Sequence, residues 1–108
     1  MERKEIILMA RDLMSKYSEL SLWRFSFNNR KKSFGVCSYT TRTISISSYL
    51  CDSMTDIAIK DTLIHEIAHA LTQGHHHDYV WRRKCAELGG VPERTSSISK
   101  SLIDGAIL

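Results

Sequence analysis

The stretch from Ile57 to Gly74, IAIKDTLIHEIAHALTQG, most limits the folds open to this chain. Ile57, Ile59, Leu63, Ile67 and Leu71 recur at steps of two to four, with Ile64 beside Leu63, the signature of an amphipathic helix. Ser53, with Asp56 three residues on, predicts its N-terminal cap. Gly74 stands just past the last periodic residue, where a helix ends well. Leu63, Ile64, Ile67, Ala68 and Leu71 form the face that buries, and His65 and His69 look out of it into a cleft. The rest of the chain has to cover that apolar face.

Other periodicities say how. Ile6, Met9, Leu13 and Tyr17, with Ala10 and Met14 beside them, predict an N-terminal helix over residues 3–19. The period then changes to two. LWRFSFN places Trp23, Phe25 and Phe27 on one face of a strand, and the polar run NNRKKS follows as a turn. FGVCSY reads as a second strand and TRTISIS as a third, joined tightly enough for an antiparallel hairpin. Asp78 caps a last helix through YVWRRKCAEL, which stops at Gly89 and Gly90; the Ser-rich tail after Pro92 fits no element. The chain of 108 residues suits one domain. The fold class is α+β: an N-terminal helix, a three-stranded antiparallel meander, the histidine-bearing helix and a C-terminal helix.

Chemistry concentrates in one window. All five histidines lie between His65 and His77. His65, Glu66 and His69 form H-E-x-x-H, and residues four apart on a helix share a face. Two imidazoles so placed can bind one zinc ion at about 2.0–2.1 Å. The glutamate between them stands beside the metal, where it can act as general base toward a water whose pKa the metal lowers to about 7. Such a centre needs a third protein ligand and an open fourth position. His75 lies six residues after His69, the metzincin interval, although Thr72 stands where that longer motif has glycine. His77 lies eight after His69, directly before the cap Asp78 and four before Trp81, which can anchor it. Both are candidates, and His76 between them points the other way. Tyr79 is a further candidate, as a hydrogen-bond donor to a tetrahedral intermediate, and Asp78 as a carboxylate behind a ligand imidazole.

Composition narrows the setting. Cys37, Cys51 and Cys85 are odd in number and form no C-x-x-C pair, which argues against a disulfide framework and against a cysteine zinc ribbon. No apolar run reaches the ~20 residues of a membrane span. Arg11, Asp12 and Lys16 interrupt the N-terminal apolar residues, so no signal peptide is read there and a cytoplasmic, monomeric protein is expected. The net charge is +3, gathered in Arg30-Lys31-Lys32 and Arg82-Arg83-Lys84, two stretches that suit contacts with DNA phosphates.

Taken together, LWRFSFNNRKKSFGVCSYTTRTISISSYL, DTLIHEIAHAL and GHHHDYVWRRKCAELGGVP resemble the SprT-like (Spartan-like) zinc metallopeptidases. The resemblance implies a compact zincin-like fold and zinc-dependent hydrolysis of peptide bonds, with Glu66 as the catalytic residue. It implies His65, His69 and His77 as metal ligands, because the third ligand of that family stands four residues before an aromatic, here Trp81. Asp78 occupies a position that is usually glycine in the family, so His75 stays open as the alternative. Protein or peptide substrates associated with DNA are implied as well. The C-terminal zinc ribbon carried by many relatives has no counterpart among these cysteines. The competing reading is a zinc-stabilised module that binds DNA or protein without turnover, and a third is a zincin of the type that recruits a downstream carboxylate.

Overall fold

The computed structural model describes residues 1–92. In chain order it contains α1 (Arg3–Ser15), β1 (Arg24–Asn28), β2 (Gly35–Ser38), β3 (Thr43–Ser47), α2 (Asp56–Leu71) and α3 (Tyr79–Glu87), with short 3-10 turns at Ser18–Leu20 and Cys51–Ser53. The α+β class read from the sequence is the observed one. The Ser-rich tail lies outside the described residues.

Helix α1 buries Ile6, Ala10, Leu13 and Met14 and opens with the Glu2 amide donating to the Glu5 carboxylate at 3.0 Å. It stops earlier than the expected residue 19. The Ser15 hydroxyl donates back to the Asp12 carbonyl at 2.8 Å, which competes with helical bonding, and Tyr17 is extended at φ −126°.

The sheet differs from the expected meander. Its order is β1-β3-β2: β1 runs parallel to β3, and only the β2–β3 pair is antiparallel. Phe25 pairs with Ile44 and Phe27 with Ile46, while Gly35 and Cys37 meet the same two isoleucines from the other side. Burial explains why β3 takes the centre. Ile44 and Ile46 are fully buried on one face, and Ser45 and Ser47 are buried on the other, so the strand is covered on both faces. Strand β1, with Arg24 and Ser26 turned outward and exposed, suits an edge. The run from Asn29 to Ser33 therefore does not turn a hairpin but carries the chain past β3 to the opposite edge.

Helix α2 is the centre of the molecule and packs on β2, β3, α1 and α3. Thr55, not Ser53, caps it: the Thr55 hydroxyl accepts from the Ala58 amide at 3.2 Å, and Ser53 is taken up in the preceding 3-10 turn. Ile57 is 67% exposed, outside the face that buries. Ile59, Leu63, Ile64, Ile67 and Ala68 bury as the periodicity predicts, but so do Asp61, Thr62 and His65, so the helix is covered on more than the apolar face. Beyond Thr72 the chain reverses, and Asp78 caps α3 by accepting from the Trp81 amide at 3.1 Å. Among the described residues no helix is long and apolar enough to cross a membrane.

Candidate functional site

Three histidine rings gather around one indole. Trp81, on the first turns of α3, is fully buried against α2, and its Nε1 donates to the His65 carbonyl at 3.4 Å. His69 stacks on the indole with centroids 5.1 Å apart, and His65 and His77 meet it edge-on at 5.3 and 4.6 Å. Trp81 thus couples the helix that carries H-E-x-x-H to the segment that carries the later histidines.

His77 and His75 have different surroundings. His77 Nε2 lies 3.0 Å from His69 Nε2. Its backbone adopts φ +59°, an uncommon left-handed conformation that histidine tolerates better than most residues. That conformation belongs to the sharp reversal before α3. His75 Nδ1 instead bonds Asp78 Oδ2 at 2.7 Å. The same contact, followed by the Trp81 amide, holds the Asp78 carboxyl below its ordinary range. Asp78 therefore serves His75 and the helix cap. His76 is exposed.

His65 is only 6% exposed and does not look into an open cleft as the sequence suggested. Its Nε2 lies 2.7 Å from the Val91 carbonyl and 3.5 Å from Asp61 Oδ2. Asp61 Oδ1 in turn accepts from the Val91 amide at 3.2 Å. A carbonyl only accepts, so the bond to Val91 requires a proton on Nε2 and leaves the lone pair of the neutral ring on Nδ1.

Glu66 lies on the neighbouring face of α2, against the start of β2. Burial pushes its carboxyl up to about 7. The approach to β2 is close enough to need glycine: a Cβ on Gly35 would stand 2.7 Å from Thr62 Cγ2, 3.0 Å from Glu66 Cγ and 3.2 Å from Glu66 Oε2. Gly35→Ala is expected to cost about 1–3 kcal/mol by overpacking and to displace the Glu66 carboxylate. Urea unfolding of the metal-free variant measures the first effect, and unchanged stability would mean that β2 does not press on Glu66.

Sequence reasoning passed over two contributors. Tyr39 donates from its hydroxyl to the His69 carbonyl at 2.7 Å and so ties the β2–β3 turn to the end of α2. Asp61 stands one helical turn before His65, a D-x-x-x-H spacing that could have marked it. The Cys37 thiol, on β2, is pushed up to about 12 by burial and then by the nearby Glu66, which leaves it protonated and unreactive at neutral pH. Tyr79 is 74% exposed on the first turn of α3.

The two basic stretches differ. Arg30, Lys31 and Lys32 are exposed in the loop after β1, with Lys31 Nζ 4.8 Å from the centre of the Tyr49 ring. On α3, Lys84 pairs with Glu87 at 3.0 Å and Arg83 approaches the same carboxylate at 3.7 Å.

A family model, that of the SprT-like family, matches residues 4–101. The chain belongs to the SprT-like family. No curated protein matches it closely enough to be compared. The match spans both the sheet and the histidine-bearing segments of this SprT-like chain.

The zinc that the resemblance implies can be tested against these side chains. Two nitrogens bound to one tetrahedral zinc at about 2.0–2.1 Å lie about 3.3 Å apart. The His69–His77 separation of 3.0 Å is close to that. Burial, followed by the neighbouring His77, His65 and His76, lowers His69 to about 4 and keeps it neutral, the form in which imidazole binds metal. The spacing of this hydrogen-bonded pair is compatible with two ligands of such a site. His65 stands apart from it, bonded to Val91, and among the described residues no three His, Cys, Asp or Glu side chains are gathered as one metal-holding group.

Proposed function

We propose that this SprT-like chain is a zinc-dependent metallopeptidase that hydrolyses peptide bonds with Glu66 as general base. The observation that carries the reading is the approach of His77 to His69 on α2, Nε2 to Nε2 at 3.0 Å, on the helix that also bears Glu66, a buried carboxyl raised to about 7. Family membership supports it, since metallopeptidase activity is associated with the SprT-like fold. His69 and His77 would hold the metal, and His65 would be the third ligand once its ring leaves the Val91 carbonyl. His77 is preferred to His75 because, of the two, it is His77 whose ring meets His69 among the described residues.

Zinc at this site supplies a Lewis acid that polarises the scissile carbonyl and a water acidic enough to react at neutral pH. The chain's residues do the rest. Glu66 accepts the proton of the attacking water and can return it to the leaving amine, a cycle that works best when the carboxyl titrates near the working pH. With a metal bound, its positive charge would favour the carboxylate form of Glu66, the form that accepts the proton. Trp81 and the Tyr39 hydroxyl keep the imidazoles of α2 and the loop at fixed spacing.

The substrate we propose is a flexible or unfolded polypeptide, including protein held on DNA. The exposed Arg30, Lys31 and Lys32 offer a place for phosphates. The α3 stretch contributes less to such a surface because Glu87 pairs with Lys84 at 3.0 Å.

The bond between His65 and Val91 keeps one histidine away from the pair, which weighs against an assembled catalytic centre and keeps a second reading in play, that of a binding module without turnover. Metal removal separates the two. For the peptidase, a chelator abolishes cleavage of an unfolded protein such as reduced casein, the metal-free chain keeps its circular dichroism spectrum, and added zinc restores the rate. Unfolding on chelation, with no cleavage in the zinc-loaded state, would replace it with the binding module.

A further inference from the structure

Beside His77 the surface opens into a cavity of about 540 Å³ bounded by His77, Asp78, Tyr79, Arg82 and Arg83. Its charge is one-sided. The one carboxylate in the wall, Asp78, is already engaged by His75 Nδ1 at 2.7 Å and by the Trp81 amide at 3.1 Å. Arg82 is exposed, and among the described residues no acidic side chain pairs with it. Arg83 meets Glu87 only at 3.7 Å between two exposed groups, a contact that contributes little and yields readily to a competitor. The exposed Tyr79 adds a hydroxyl. Neither arginine is buried, so the packing of α3 does not account for them.

We propose that this cavity is a substrate subsite that receives a glutamate or aspartate side chain of the polypeptide being cleaved, next to the scissile bond on the His77 side. The inference rests on the peptidase reading and adds a preference to it. Two guanidinium groups present planar, forked donors that match a carboxylate. A nucleic-acid backbone fits the place less well. The positive charge is confined to two side chains, which suits a single carboxylate better than a run of phosphates. A single acidic side chain needs only the space between. Its position against His77 places the adjoining peptide bond near the His69–His77 pair.

The test uses fluorescein-labelled, unstructured peptides that are identical except for two adjacent central residues, both Glu, both Gln or both Lys. Binding is read by anisotropy on the Glu66→Gln protein, and kcat/KM on the zinc-loaded wild type. The expected order is Glu, then Gln, then Lys, with about tenfold between the extremes in both measurements. The gap narrows as salt is raised. In the double variant Arg82→Glu, Arg83→Glu the order inverts. Equal treatment of the three peptides by the wild-type protein overturns the proposal without any variant having to fold. So does an unchanged order in the double variant, or a loss confined to its affinity for duplex DNA. Cleavage without discrimination removes the subsite and leaves the peptidase. Ordered binding without cleavage of any peptide supports the subsite and removes the peptidase.

Discussion

Glu66→Gln is expected to bind zinc as the wild type does and to cleave unfolded protein about a hundred- to ten-thousandfold more slowly, the range a positioned general base contributes. The substitution keeps the shape of the side chain and removes only its ability to take a proton. Glu66 lies on α2 between the two histidines of the motif, so metal content serves as an internal control. A wild-type rate in this variant, at full zinc, would remove Glu66 from the chemistry.

The same exchange has a consequence for the metal-free protein. Burial raises Glu66 from 4.5 to about 7 in the folded state. Its contribution to stability is therefore fully present below about 4.5 and is lost as pH rises through 7. His69 works in the opposite sense. It is lowered from 6.5 to about 4, so its contribution is present above 6.5 and is lost as pH falls through 4. In the wild type the two offset one another between about 4.5 and 6.5, and stability then declines toward pH 8. Without the carboxyl, stability rises from pH 4 to 6.5 and stays level. Chemical denaturation in chelator at several pH values reads the difference, and parallel profiles for the two proteins would contradict it.

Trp81→Ala has the largest expected effect on the fold. The indole is fully buried and touches three histidine rings. Truncating a buried tryptophan costs about 3–5 kcal/mol, out of the roughly 5–15 kcal/mol that holds a domain of this size together. The cavity opens between α2 and α3, where His69 and His77 meet, so zinc affinity falls as well. Trp81→Phe retains most of the packing and is expected to recover most of both losses. A loss below about 1 kcal/mol on urea unfolding of Trp81→Ala would mean that α3 does not depend on this anchor.

The helices and the histidine-bearing motif were legible because their signals are local. Asp78 caps α3 as its position suggested, and Ile59, Leu63 and Ile67 bury at the helical period. The order of the strands was not legible. Alternation in FSFN and ISIS reveals which residues share a face and says nothing of which strand lies beside which. The deciding fact, that Ser45 and Ser47 are also buried, depends on what covers the second face. Thr55 displaced Ser53 as cap because the residues just before it, Cys51–Ser53, already form a 3-10 turn. The surroundings of His65 were hidden for a different reason. Val91, which holds it, lies 26 residues away. It reaches α2 only because Gly90 allows the backbone to pass where a Cβ would stand 2.6 Å from Ile64 Cγ2. No short-range pattern encodes that contact. His77 and His75 were both compatible with the sequence, and the backbone reversal before α3 distinguishes their surroundings.

Zinc content per chain, measured by mass spectrometry on the wild type and on single alanine variants of His65, His69, His75 and His77, tests the metal centre most directly. The expected result is one zinc per chain in the wild type and in His75→Ala, and loss of the metal in the other three. Retention of zinc by His77→Ala together with its loss from His75→Ala would contradict the site described here.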